Sequence, residues 1–314
     1  MTAEHVLTFA ERHRGPHDHL YLLVDALAEC ESSHPLSVPS LSQDRGEAAV
    51  ERILRPDLAY AREACPALVE LAAPGRECSK RLLELSACYA QEDLAYKKRY
   101  VCGWLLSPAP LGAVARHVAE QCRISSSSSS NSMTPWYEPL RLELLAAALG
   151  TGLAGVLSPI SAWLLPTTWG SFSILPGGPS NAKREDADLV RHTQRAAKLV
   201  SDFLDAWRLA QQGRHSFAPW RWNGAGILPP QAGVHAFRLV RDAQQLGLRD
   251  SRDIIALCLQ RVGIHPQLPR HPKIQRDILD AVKGVAPLEA RFERYNAADW
   301  KDIFASLPQA ANYS

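Results

Sequence analysis

The chain has 314 residues, 46% hydrophobic and 22% charged, which is ordinary globular composition and length for about two domains. A net charge of +2 gives no bulk attraction for nucleic acid or an acidic membrane, and the N-terminal MTAEHVLTFAERHRG is charged where a signal peptide needs an apolar core, which predicts a cytoplasmic protein. Seven cysteines, odd in number and widely spaced, argue against a disulfide framework and against a CxxC zinc site, and most, beside apolar neighbours, are expected to be buried thiols.

The first residues read as a polar arm holding His13, His17 and His19, and His17-x-His19 beside Arg12, Arg14 and Pro16 reads as solvated terminus rather than a metal site. Leu20 to Val24, closed by Asp25, is predicted as a buried strand. Glu31 to Gln43 is Ser- and Pro-rich and reads as loop, and a helical stretch is expected to carry Ala49, Val50, Ile53 and Leu54 on one side. Ala67 to Leu71 is a second strand, with Pro66 at its entry. A helix follows over Ser79 to Ala90, then a third strand, Tyr100 to Leu106, expected to be buried on both faces. Pro110 opens a helix with Leu111, Val114, Val118 and Cys122 on one face. Alternation of strand and helix predicts an α/β lobe with a mixed sheet and flanking helices.

Six serines, Ser125 to Ser130, cannot bury apolar surface and predict a flexible loop. Met133 to Pro166 then begins with Trp136, Tyr137, Glu138 and Pro139 and runs into a segment without any charge from Leu144 through Ala182. It reads as a membrane span or as the packed seam between two lobes. The seam is preferred, because Gly150, Gly152, Gly155, Pro159 and Pro166 cut it into pieces shorter than the roughly 20 apolar residues a span needs. Trp169 to Leu175 is expected to add a strand and Pro176 to Asn181 a linker. The α/β lobe, seam included, is therefore drawn as residues 1–179 and an all-α lobe as 180–314. In the latter, helices are predicted over Lys183 to Gln212, over Gln231 to Leu246 with Gly247 as stop, after the capping candidates Asp250 and Ser251, and around Ile274, Ile278 and Val282 before Gly284.

Reactive constellations are scarce. No phosphate loop, zinc-protease helix or GxSxG elbow occurs. Gly150-x-Gly152-x-x-Gly155 has the glycine spacing of the dinucleotide loop, but no strand precedes it and no acidic ribose partner follows. The acids Glu185, Asp186, Asp188, Asp250 and Asp253 sit at helix starts, where capping explains them, and His265 and His271 read as surface histidines of a Pro-rich turn. No cofactor and no metal are therefore expected. Phe217 to Trp222 (FAPWRW) puts aromatics beside Arg221, a mixture used by protein interfaces and by single-strand nucleic-acid binders, with core insertion as the plain alternative.

Four stretches together match one pattern: Tyr21-Leu22-Leu23-Val24-Asp25-Ala26, Cys65-Pro66-Ala67-Leu68-Val69-Glu70-Leu71, Trp104-Leu105-Leu106-Ser107 with the following helix to His117, and Trp136-Tyr137-Glu138-Pro139. Over Leu20 to Pro166 the chain resembles the effector adaptor or chaperone family of bacterial type VI secretion (Tap/TEC domain). It departs from that pattern where Thr134 and Pro135 replace an arginine and Glu138 an aspartate. The resemblance implies a non-enzymatic protein that binds the N-terminal segment of a cognate toxic effector and delivers it to the trimeric spike protein (VgrG). Beside it, the residues themselves offer Trp220, Arg221 and Trp222 as candidates for partner contact, with Trp136, Tyr137 and Glu138 setting lobe geometry, and a cleft between the lobes is the expected seat of the effector segment. Nucleic acid and membrane are not expected partners. Two other readings stay open: an enzyme using Asp25, His117 and Glu138 at the sheet, and a nucleic-acid-binding helical module over residues 183–307.

Overall fold

The computed structural model describes residues 2–95, 98–124, 133–178, 187–212 and 228–308. The chain divides into two compact units, Met1–Arg195 and Ala196–Ser314. The boundary anticipated between residues 179 and 180 falls outside the described residues, as do the serine tract and FAPWRW.

The first unit runs α1 (Thr2–Arg12), β1 (His19–Val24), α2 (Val38–Arg45), β2 (Val50–Arg52), β3 (Ala67–Ala72), α3 (Lys80–Glu92), β4 (Val101–Ser107), α4 (Leu111–Ile124), α5 (Pro139–Leu149), α6 (Leu153–Leu157), β5 (Ala162–Pro166) and β6 (Phe172–Pro176). The strands form a six-stranded sheet in the order β2-β3-β1-β4-β5-β6. A sheet lobe with flanking helices is thus present as expected, but every pairing is antiparallel where a mixed sheet was anticipated. Its apolar runs are continuous because both faces are covered, a condition more often met in parallel sheets. Alternate residues of β1 serve the two sides. Leu20, Leu22 and Val24 pack with Val6 and Phe9 of α1 and Leu82 and Leu83 of α3, while Tyr21 and Leu23 pack with Val114 and Val118 of α4 and Leu142 and Leu145 of α5.

Three local expectations are corrected. The N-terminal arm is helix α1, whose Val6, Phe9 and Ala10 are buried at the helical spacing its histidines and arginines obscure. Within the Ser/Pro-rich stretch, Ser37 accepts from the Ser40 amide and starts α2 with Pro39 in its first turn. The helix anticipated around Val50 is instead a 3-10 turn, Glu47–Ala49, followed by β2, where Val50 lies opposite Val69.

The described part of the charge-free stretch, residues 144–178, belongs to the first unit. Pro139–Leu157 is long and apolar enough, by length and composition, to cross a membrane. It is broken at Gly150, whose φ of 54° lies in the left-handed region, and a 3-10 turn leads from there into α6. Leu142, Leu145, Leu153 and Leu157 pack on the sheet face formed by Tyr21, Leu23, Leu105 and Trp163. The lack of charge follows from that burial and from β5, every residue of which is buried.

The described remainder of the second unit is all helix and turn. The second half of α7 (Ala187–Gln212) is followed by α8 (Ala232–Gln245), α9 (Ser251–Gly263), α10 (Pro272–Val282), α11 (Leu288–Phe292) and α12 (Ala297–Ser306). Phe203 and Trp207 stack at 5.7 Å on α7, and Phe292 meets Trp300 edge-on at 5.4 Å. Asp250 caps α9 through the amides of Arg252 and Asp253, and Asp253, itself buried, accepts from the Leu288 amide at 2.8 Å to cap α11.

Candidate functional site

Of the stretches that suggested a function, those ending at Asp25, starting at Cys65 and starting at Trp136 reach one end of the sheet, while Trp104–Ser107 runs to the other, where Ser107 lies opposite His19. The central strands β3, β1 and β4 lie side by side, and antiparallel pairing puts the end of β1 beside the start of β4, with Val24 opposite Val101. The Asp25 amide donates to the Tyr100 carbonyl at 2.8 Å, closing that corner. The knot before α5 packs there: Trp136 donates from Nε1 to the Val118 carbonyl at 3.1 Å and stands edge-on to Trp163, ring centres 5.6 Å apart.

A chain of charges crosses this corner. Lys98 Nζ lies 3.0 Å from Asp25 Oδ2 and 2.6 Å from Glu138 Oε1, and Arg141 Nε donates to Glu138 Oε2 at 2.8 Å. Arg141 in turn bonds the Gln194 carbonyl at 2.9 Å, and Gln194 Nε2 returns to the Arg141 carbonyl at 3.2 Å. Glu138 thus holds two cations even though Thr134 and Pro135 stand where the resembled family carries an arginine. Behind it, the buried Tyr137 hydroxyl accepts from Arg55 Nη1 at 2.9 Å, and Arg55 forks onto Asp57.

Burial sets the electrostatics. Asp25 is fully enclosed, which raises its carboxyl above the ordinary value despite Lys98 and the Leu27 amide. Burial alone would lower Lys98, but Glu138 and Asp25 outweigh it and hold the ammonium above its usual range. Desolvation drives the Cys102 thiol well up, pushes Cys122 to about 12, and lifts the Tyr137 phenol. Lys98 and the two thiols therefore sit in their non-nucleophilic protonation states near neutrality, and the arrangement binds charges to one another.

The remaining candidates are placed as follows. Trp136 and Tyr137 are fully buried and Glu138 is about one-quarter exposed, so the first two reach a partner only through the geometry they set. Trp220, Arg221 and Trp222 lie outside the described residues. Asp25 and Glu138 share Lys98, but His117 is engaged elsewhere: its Nε2 is 2.9 Å from the Val156 carbonyl, its ring meets Trp136, and burial lowers its basicity. His19 pairs with Glu70, His265 Nε2 meets the Pro308 carbonyl at 2.9 Å, and His271 caps α10 through the Lys273 amide. Among the described residues no group of three or more His, Cys, Asp or Glu side chains is placed to hold a metal ion. The Gly150–Gly152 turn follows helix α5 rather than a strand, so the glycine triplet lacks the dinucleotide-loop setting.

Lys98, Arg55 and Arg141 escaped the sequence reading. The signal available was Lys97-Lys98-Arg99 directly before a strand predicted to be fully buried, a place where a cation has to meet a carboxylate or a carbonyl. Arg99 does the latter, donating to the Pro166 and Thr167 carbonyls at 3.3 and 3.0 Å. Comparison with protein-family models, with curated proteins and with solved structures found no match to this chain.

Proposed function

We propose that the chain is a non-enzymatic adaptor of a type VI secretion system, working in the cytoplasm, that binds the N-terminal segment of a cognate effector and loads it onto the trimeric spike protein (VgrG). The observation that carries this reading is convergence. The stretches beginning at Tyr21, Cys65, Trp104 and Trp136, dispersed over more than a hundred residues, meet as three adjacent strands and a knot docked on them. Glu138 supplies the ion-pair acceptor there. The non-nucleophilic state of Lys98, Cys102 and Cys122 also favours binding over chemistry.

The test is affinity capture of the tagged full chain from its native bacterium, with mass spectrometry. Recovery of a spike protein together with one large effector, and weaker recovery with Trp220→Ala/Trp222→Ala, is the expected result. Capture of neither, with turnover of a small metabolite abolished by Asp25→Asn, would refute the adaptor and favour a site at the sheet.

A further inference from the structure

The second unit presents a face on which arginine predominates. Over α8–α10, residues 232–285, nine Lys and Arg stand against five Asp, every carboxylate counted as charged whether it caps a helix, is bonded or is free. Asp299, which reaches Lys273 at 3.1 Å, makes six acids, and a surplus of three positive charges remains.

Contacts join the cations into one run. His235 on α8 lies in the field of Arg261 on α9 and of Arg238, with Asp242 opposing them. Arg261 pairs with Asp242 at 3.3 Å and donates from Nε to the Pro266 carbonyl at 2.9 Å, which carries the run into the α9–α10 turn. There Arg270 donates to Gln267 Oε1 at 3.4 Å, and His271, whose Nδ1 accepts from the Lys273 amide, lies in the field of Lys273 and Arg276. Both imidazoles are held below their ordinary basicity, by burial first and then by these cations, so a positive field is felt at both ends of the run. Arg238, Arg270 and Arg276 are exposed and make no ion pair with a described residue. Asp242 and Asp299 lie among the cations. An unbroken phosphate backbone would have to pass over those carboxylates, whereas separate carboxylate side chains on an extended segment can meet the guanidinium forks and avoid them. The complement of this face is an acidic peptide segment.

We infer that the face running from Arg238 through Arg261 and Arg270 to Arg276 docks an Asp- or Glu-rich segment of a partner protein. This goes beyond the adaptor reading and holds whether or not the partner is a secreted effector. The probe is a fluorescein-labelled peptide of alternating Glu and Gly, titrated with the full chain and read by anisotropy, beside a Lys-Gly peptide and a short DNA duplex. The Glu peptide is expected to saturate, to bind at least about tenfold more tightly than either control, and to weaken as salt rises. Arg238→Glu/Arg270→Glu/Arg276→Glu should weaken it by about tenfold or more at an unchanged melting temperature. The same change of net charge made at exposed positions of the first unit, Lys80→Glu/Arg81→Glu/Arg116→Glu, should weaken it far less. Bound peptide should also move the titration of the His235 and His271 rings, followed by NMR, to higher pH, because its carboxylates offset the cations around them. Absence of saturable binding, no loss in the first triple variant, equal loss in both, or histidine titrations unmoved by the peptide overturns the inference. Tighter binding of the duplex than of the Glu peptide does so too, and would assign the face to nucleic acid.

Discussion

Replacing Lys98 by Met tests whether the charge chain at the sheet corner holds the knot in place. The substitution keeps the stem and removes the ammonium that lies 3.0 Å from Asp25 and 2.6 Å from Glu138. Deleting one partner of a fully buried ion pair costs about 3–5 kcal/mol, because the other charge is left without compensation. Here Asp25 is fully enclosed while Lys98 and Glu138 retain 31% and 24% exposure, so water screens part of the loss and about 2–3 kcal/mol is expected near neutral pH. For a unit of this size that lowers its melting temperature by roughly 5–10 °C. The pH dependence gives the cause away. Asp25 has a carboxyl raised above its ordinary 3.8, so the native state binds the proton more tightly than the unfolded chain. Its contribution is therefore most favourable at low pH and is lost as pH rises from about 4 through the native value. Without Lys98 that value moves higher still, and the deficit of the variant must be full at neutral pH and shrink toward pH 5. Urea unfolding followed by tryptophan fluorescence at both pH values measures this, since Trp104, Trp136 and Trp163 are buried in the same unit. Adding Asp25→Asn to Lys98→Met should recover most of the loss. An identical deficit at both pH values, or no rescue by the second change, would refute the reasoning.

Gly103→Ala should destabilise the first unit by about 3 kcal/mol or more, since φ is +143° and a β-carbon would lie 2.3 Å from Trp163 Nε1 and 2.6 Å from the Leu164 carbonyl oxygen; a thermal melt within a degree of wild type would contradict it. Trp136→Ala, which removes a fully buried indole and its bond to Val118, is expected to cost about 3–5 kcal/mol by the same melt, whereas Trp136→Phe should lose less. In native protein at pH 8, iodoacetamide should label exposed Cys88 first and leave Cys102, Cys122 and Cys258 untouched, burial having raised all three thiols; peptide mass spectrometry reads this directly, and early labelling of Cys102 would refute the packing of β4.

What could be read in the sequence was what period and punctuation encode. The runs that became β1, β3 and β4 were legible because they are short, apolar and ended by Asp25, Ala73–Pro74 or Ser107–Pro108. Asp250 and Gly247 bounded their helices as capping chemistry requires. Strands β2 and β5 were missed for opposite reasons. Val50–Arg52 is a three-residue edge whose pairing with β3 is purely tertiary, and Ala162–Pro166 is embedded in an apolar stretch where helix and strand look alike. Strand direction was invisible too: continuous hydrophobic runs suit any sheet covered on both faces, and the antiparallel pairing of every neighbour in the order β2-β3-β1-β4-β5-β6 is set by tertiary contacts. At the corner, Asp25 and Glu138 were singled out, but Lys98 between them was not, because their meeting depends on the pairing of β1 with β4.

The burial of the motif residues also bounds what they can specify. Tyr21, Leu68, Trp104, Trp136 and Tyr137 expose essentially nothing, and each is tied to sheet or helix by packing or by a bond such as that of Tyr21 Oη to the Ala109 carbonyl. A residue in that position selects a scaffold, since substitution is felt first as lost packing and only then at any surface. Discrimination between partners has to come from side chains that a partner can desolvate, and those vary without disturbing the sheet. A shared corner of Asp25, Lys98 and Glu138 can therefore accompany different exposed surfaces, which change at little cost to the fold. For that reason a variant of the corner that loses binding must be compared at equal folded fraction, whereas a variant of an exposed side chain that loses binding while its melting temperature stays unchanged identifies contact directly.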